Sequence, residues 1–118
     1  LGISMIAVSE AFTLANKVGL GAQTLFDVVS TASGQCWSLT SYCPVPGPVP
    51  TSPANHDYQA GFPSDMMLKD LRLAQESAGL TGVSTRLGAE AEAIYARYCE
   101  SGDGASDFSG IIRMIAEK

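Results

Sequence analysis

The 118 residues predict an all-α domain of about five helices interrupted by one long proline-rich loop. Apolar residues recur at three- and four-residue intervals in five separate stretches, and a glycine follows each of the first four. No stretch alternates apolar and polar residues over a strand's length with hairpin turns between, so a sheet is not expected.

Ile3, Ile6, Ala7, Phe12, Leu14 and Ala15 recur at near-helical spacing, and Lys17 followed by Gly19 forms a stop, so the first helix runs to about Val18. No capping residue precedes its periodicity, which suggests a helix begun upstream of Leu1. A second, shorter helix passes through Leu25, Phe26, Val28, Val29 and Ala32 to the Ser33-Gly34 pair, although two adjacent β-branched valines weaken it. From Gly34 to Gly61 the chain is least helical. Five of the ten residues from Pro44 to Pro53 are proline, which neither continues a helix nor donates a ladder hydrogen bond. An ordered, extended loop is expected there. The neighbouring Trp37, Tyr42 and Tyr58 favour its packing on its own domain over use of Pro50 to Pro53 as a PxxP ligand. Pro63 then opens a third helix, forces Phe62 into an extended conformation, and gives way at Gly79 to a stop. Ser84 announces the fourth, which carries Leu87, Ala91, Ile94, Tyr95 and Tyr98 to Gly102 with Glu90 and Glu92 outward. The fifth starts near Ser106 and holds Phe108, Ile111, Ile112 and Ile115. Residues 1–118 form one domain on this reading.

Composition excludes several classes of partner. Hydrophobic residues make up 46% of the chain but charged ones only 16%, against about 25% in an average soluble domain, so part of the surface is expected to be covered. A net charge of −5 without any basic run repels nucleic acid and anionic lipid. Glu10 breaks the first apolar run far short of the ~20 residues of a membrane span, so neither an anchor nor a signal peptide is expected. Cys36, Cys43 and Cys99 lack CxxC spacing and read as reduced thiols of a cytosolic or organellar matrix compartment. With His56 alone, no metal site is expected. Neither GxGxxG nor GxxxxGK[ST] occurs, so a Rossmann core is not expected within this chain.

The densest chemistry lies in Gly61 to Ala74, GFPSDMMLKDLRLA. At 100° per residue Met67, Leu68, Leu71, Ala74 and Ala78 form one apolar stripe, whereas Met66 and Leu73 flank Lys69 on nearly the opposite side. A helix apolar on two faces is predicted to be wedged between other elements. Lys69 would then be partly desolvated, and its charge would act more strongly than in water on a nearby anion or dipole. The plainer alternative is that Lys69 reaches solvent along its stem while Asp70 pairs with Arg72 or Lys69 at the surface, an interaction worth little.

Four segments carry a resemblance: SGQCW (Ser33 to Trp37), YCPVPG (Tyr42 to Gly47), NHDYQAGF (Asn55 to Phe62) and LKDLRLAQ (Leu68 to Gln75). Together they resemble the C-terminal helical domain, of the 6-phosphogluconate dehydrogenase-like type, of the 3-hydroxyisobutyrate dehydrogenases within the β-hydroxyacid dehydrogenase family. The resemblance implies NAD-dependent oxidation of 3-hydroxyisobutyrate to methylmalonate semialdehyde in valine catabolism, with NADP not excluded. It also implies an N-terminal Rossmann domain as partner, of whose linking helix residues 1–18 would be the end, and a homo-oligomer. By the same resemblance Lys69 contacts the cofactor, and Phe62 and Asp70 lie in the vicinity of the active site. The family's general acid/base lysine, in a Lys-x-x-Asn-Asn pattern, has no counterpart here and would lie about two helical turns before Leu1. The chain alone would therefore be inactive, and its compartment would be the bacterial cytoplasm or the mitochondrial matrix. Two alternatives stand beside this: a tartronate semialdehyde or succinic semialdehyde reductase type, and a noncatalytic helical oligomerisation module.

Overall fold

The computed structural model describes residues 1–117. Helix α1 (Gly2–Lys17) turns Met5, Ile6, Val8, Phe12 and Ala15 inward, and Gly19, at φ 83°, takes the chain out of it. The buried stripe is displaced from the predicted one, because Ile3, Ala7 and Leu14 are exposed. α1 is apolar on most of its circumference, so periodicity leaves the choice of inner face to the packing partners.

α2 (Ala22–Val29) lays Leu25, Phe26 and Val29 against α1 and stops short of the expected Ala32, since residues 31–35 are exposed and no burial holds a further turn. A single turn, α3 (Trp37–Thr40), interrupts the segment predicted to lack helix; it buries Ser38 and Leu39 and is tied to α1 by Ser4 Oγ and Ser38 Oγ at 2.8 Å. The proline block itself behaves as predicted. Pro44 and Pro53 are buried, and the Tyr58 hydroxyl donates to the Pro44 carbonyl at 2.7 Å. Asn55 staples the loop from within: its side-chain oxygen accepts from Gly47 N at 2.9 Å, and its amide nitrogen donates to Val49 O at 2.8 Å. With two such bonds lost, Asn55→Ala is expected to cost about 1–3 kcal/mol. The urea midpoint should fall with the slope of the transition unchanged.

α4 (Ser64–Thr81) continues past Gly79, which is tolerated inside the helix at a cost of about 1 kcal/mol relative to alanine. Gly82 ends it instead, being the glycine in the left-handed conformation, φ 72°. α5 (Arg86–Tyr98) has Thr85 rather than Ser84 at its N-terminal cap position and widens into a π-type turn, Cys99–Asp103, where Gly102 at φ 105° breaks it. After a 3₁₀ turn at Phe108–Gly110 comes α6 (Ile111–Ala116).

Two apolar clusters share α1. Met5 and Ile6 join Met67, Leu68 and Leu71 of α4, Ala91, Tyr95 and Tyr98 of α5, and Phe108 and Ile111. On the other side Val8 and Phe12 meet Leu39, Cys43 and Ile112, with α2 and the proline loop outside them. Each Val, Leu, Ile, Phe or Met among them stabilises the fold by roughly 1.5–3 kcal/mol on burial. Among the described residues there is no strand, only one antiparallel bridge between Pro63 and Asp107, so the all-α expectation holds. No helix among them is long and apolar enough to cross a membrane.

Candidate functional site

The head of α4 is built from two segments distant in sequence. Pro63 occupies the position before the helix in extended conformation, so Ser64 rather than the proline is the first helical residue, and no side chain caps it. The loose amides of the first turn are taken up elsewhere. Ser64 N donates to Ser106 O at 2.8 Å and Asp65 N to Gly104 O at 2.9 Å, while Asp107 N donates to Tyr58 O and Phe108 N to Phe62 O. Residues 104–108 thus run as a strap along 58–65. Just ahead, Asp57 and Tyr58 both hold left-handed backbone, φ 52° and 56°, a conformation costing non-glycine residues about 1–3 kcal/mol each. Tyr58 is kept there by its N–H bond to Pro53 O, its hydroxyl bond to Pro44 O, and the Arg113 guanidinium 4.8 Å from its ring centre.

Lys69 and Asp70 stand about 8 Å or more along the helix from Ser64, at 1.5 Å per residue. Their side chains pair at 3.1 Å and are 53% and 51% exposed. The plainer of the two alternatives for Lys69 holds, a solvent-reaching lysine paired with Asp70 at the surface, and the expectation of a wedged helix is corrected. Lys69 is not desolvated within this chain, and α4 is not wedged: Met66, Leu73 and Leu80 lie open on the same outer face as Lys69. Ala74, assigned to the inner stripe, is exposed as well, because α5 covers only the side of α4 that carries Met67, Leu68, Leu71 and Ala78. As a purely intramolecular contact this ion pair is worth at most about 1 kcal/mol. Its chemical interest is that a cation and its counter-ion sit exposed on a largely apolar helix face that none of the described residues covers.

Phe62 is drawn elsewhere, into a ladder of rings. It meets Phe108 edge to face at 5.7 Å; Phe108 stacks on Tyr42 at 5.2 Å, and Tyr42 on Trp37 at 5.1 Å. Trp37, the only tryptophan, ends the ladder 52% exposed. Beneath it lies Asp107, whose Oδ1 accepts from the Tyr42 hydroxyl at 2.6 Å and from the amides of Gly61 and Phe62 at 3.0 Å each. Burial, and then this carboxylate, push the Tyr42 phenol well above its ordinary range, so it remains a donor at any physiological pH. Sequence reading passed over Trp37 and Tyr42 as loop packing and did not single out Asp107. The available signal was Asp107-Phe108-Ser109, the spacing of a capping residue that accepts from the amide two positions on.

The three cysteines are unpaired thiols, as expected. Burial, then the neighbouring Asp65 carboxylate, push Cys99 from an ordinary 9.0 up to about 11. Because the folded value lies above the unfolded one, the associated stability is fully present below about pH 9 and is lost as pH rises through about 11. Iodoacetamide labelling of the native protein near neutral pH should therefore modify Cys99 far more slowly than in urea, since the thiolate is the nucleophile. No group of three histidine, cysteine or acidic residues capable of holding a metal occurs among the described residues.

The geometry defines a class: a helical domain that presents a charged pair on one uncovered helix and a wall of stacked rings at that helix's head. Residues 1–115 match the family described as "NAD-binding of NADP-dependent 3-hydroxyisobutyrate dehydrogenase", and the chain belongs to it. It is 49% identical over 116 residues to a probable 3-hydroxyisobutyrate dehydrogenase of Mycobacterium tuberculosis, covering 98% of this chain and 39% of that protein. It is 40% identical to the mitochondrial 3-hydroxyisobutyrate dehydrogenase of Drosophila melanogaster, covering all of this chain and 36% of that one. A solved structure of Mycobacterium tuberculosis 3-hydroxyisobutyrate dehydrogenase with L-serine superposes with a TM-score of 0.94 at 48% identity, over 98% of this chain and 39% of the other. The chain thus spans little more than a third of the length of these relatives.

Proposed function

We propose that this domain is the helical part of a nicotinamide-dependent dehydrogenase that oxidises 3-hydroxyisobutyrate to methylmalonate semialdehyde, as in valine breakdown, with NAD as cofactor. The observation that carries the reading is the open Lys69–Asp70 pair on α4, in a chain matched by the family over 1–115. The residues present fit one end of such a cofactor. An exposed ammonium between Met66 and Leu73 can donate to a carboxamide, ribose or phosphate oxygen, and Asp70 restrains it on the helix surface. Covering this face with a nucleotide domain would desolvate the pair and strengthen it as a contact.

When bound, the cofactor supplies the hydride acceptor. The substrate's carbinol carbon loses a hydride and its hydroxyl a proton, the latter to a general base that this reading places on a lysine before Leu1. The ladder ending in Trp37, with Phe62 at its inner end, forms a rigid apolar wall suited to the short carbon skeleton of a β-hydroxy acid. L-serine, found with the Mycobacterium tuberculosis relative, belongs to the same chemical class of small 3-hydroxy carboxylates. The compartment on this reading is the cytoplasm of a bacterium or the mitochondrial matrix of a eukaryote. Purified full-length protein, given a panel of 3-hydroxyisobutyrate, L-serine, glycerate and 4-hydroxybutyrate with NAD or NADP, should reduce NAD fastest with 3-hydroxyisobutyrate. Reduction with none of these acids would sink the proposal, and preference for another acid would move it to the tartronate or succinic semialdehyde type.

A second role is favoured by α1, whose outer face presents Ile3, Ala7 and Leu14 exposed, with Val18 just past its end and exposed Leu87 of α5 beside Ile3 and Ala7. We assign this strip to contact with a second copy of the chain, consistent with the low charged fraction. Sedimentation of the full-length protein should show an oligomer that Leu14→Glu dissociates; an unaltered sedimentation coefficient would remove this role.

A further inference from the structure

Asp107 is fully buried (0% exposed), and among the described residues no lysine or arginine pairs with it. A carboxylate out of water is tolerated only when its lone pairs are taken up by donors. Here five donors do so: the Tyr42 hydroxyl and the Gly61 and Phe62 amides on Oδ1, and the amide and hydroxyl of Ser109 on Oδ2. They come from the head of the proline-rich loop, the segment leading into α4, and the strap that runs into the 3₁₀ turn at Phe108–Gly110. A neutral cap would satisfy Ser109 alone. What the carboxylate adds is convergence, since one oxygen fixes Tyr42 and the backbone carrying Phe62 to the same point. Those are two rings of the ladder, and Trp37 rests on the first of them.

We infer that Asp107 is a positioning residue for substrate recognition: acting through Tyr42 and the Phe62 amide, it holds the Trp37–Tyr42 platform and Phe62 at the fixed separation that receives the hydroxy acid. The inference rests on the dehydrogenase reading above. It extends that reading to a residue remote from the family-like motifs.

Three substitutions reach the same geometry independently. Tyr42→Phe removes one donor hydroxyl. Asp107→Asn keeps the shape but sets an N–H group against either the Ser109 amide or the Oδ1 donors. Gly61→Ala leaves Asp107 untouched, yet a Cβ there would stand 2.7 Å from the Tyr42 hydroxyl and push it aside. In the full-length enzyme each is expected to raise KM for the hydroxy acid about tenfold or more, the scale of one hydrogen bond to a charged group, and to leave KM for the cofactor within about twofold. Acrylamide quenching of Trp37 fluorescence should rise in all three, and exchange of the Gly61 and Phe62 amides should accelerate in Asp107→Asn. If Asp107→Asn fails to fold, Tyr42→Phe and Gly61→Ala carry the test. Both KM values rising together, or neither moving while the wild type turns over, would overturn the inference. A wild type that oxidises no hydroxy acid would instead sink the functional reading, and unchanged quenching and exchange would then remove the positioning role as well.

Discussion

Replacing Asp107 by alanine is expected to cost the domain about 4 kcal/mol or more, a large fraction of the roughly 5–15 kcal/mol typical of a domain. The variant leaves five donors at once, two of them buried and three part-buried, without the carboxylate that joined them. Each buried donor without a partner costs about 1–3 kcal/mol, and even if water enters the space left behind and recovers some of them, the deficit remains large. The strap would also lose its hold, because the Asp107 and Phe108 amides are bonded to Tyr58 and Phe62 carbonyls only while residues 104–108 stay seated. Urea titration followed by circular dichroism is the measurement. A loss below about 1 kcal/mol, the scale of a surface change, would mean that the network is dispensable.

Lys69→Ala is expected to do the opposite: leave stability almost untouched and weaken cofactor binding. In the free domain the Lys69–Asp70 pair is half exposed, so its removal should change the urea midpoint by no more than about 1 kcal/mol. In the full-length enzyme the same ammonium would face the cofactor away from water, and its loss should raise KM for NAD about tenfold to a hundredfold with little change for the hydroxy acid. Steady-state kinetics with each substrate varied in turn separates the two. An unaltered KM for NAD together with unaltered turnover would leave Lys69 as an ordinary surface lysine. The contrast with Tyr42→Phe, expected to move the other Michaelis constant, makes the two sides of the site independently testable.

Much of the fold is visible in the residues themselves. The stop at Gly19, the start just after Pro63 and the ordered proline block depend on local backbone chemistry that each residue carries with it. Where local chemistry was ambiguous the assignment shifted. Gly79 and Gly82 are equally good stops on paper, and only the second adopts positive φ. In the same way Ile3 and Leu14 are as apolar as Met5 and Phe12; which pair is buried depends on where α4, α5 and α6 lie.

The candidate site divides along the same line. Lys69 and Asp70, adjacent on one helix, could be read from the chain because helical spacing alone sets them together. Their exposure could not, because it depends on what covers α4 from outside. The Trp37–Tyr42–Phe108–Phe62 ladder and the carboxylate under it join residues up to 71 positions apart, from Trp37 to Phe108. The sequence by itself determined the five main helical stretches, the break at Gly19, the charged pair and the family likeness, since each rests on interactions within a few residues. Only the tertiary structure decided which faces are inward and that Asp107 is the hub of the site. Burial and hydrogen-bond partnership are properties of segments brought together in space, and no local pattern records which distant donors will converge on one oxygen.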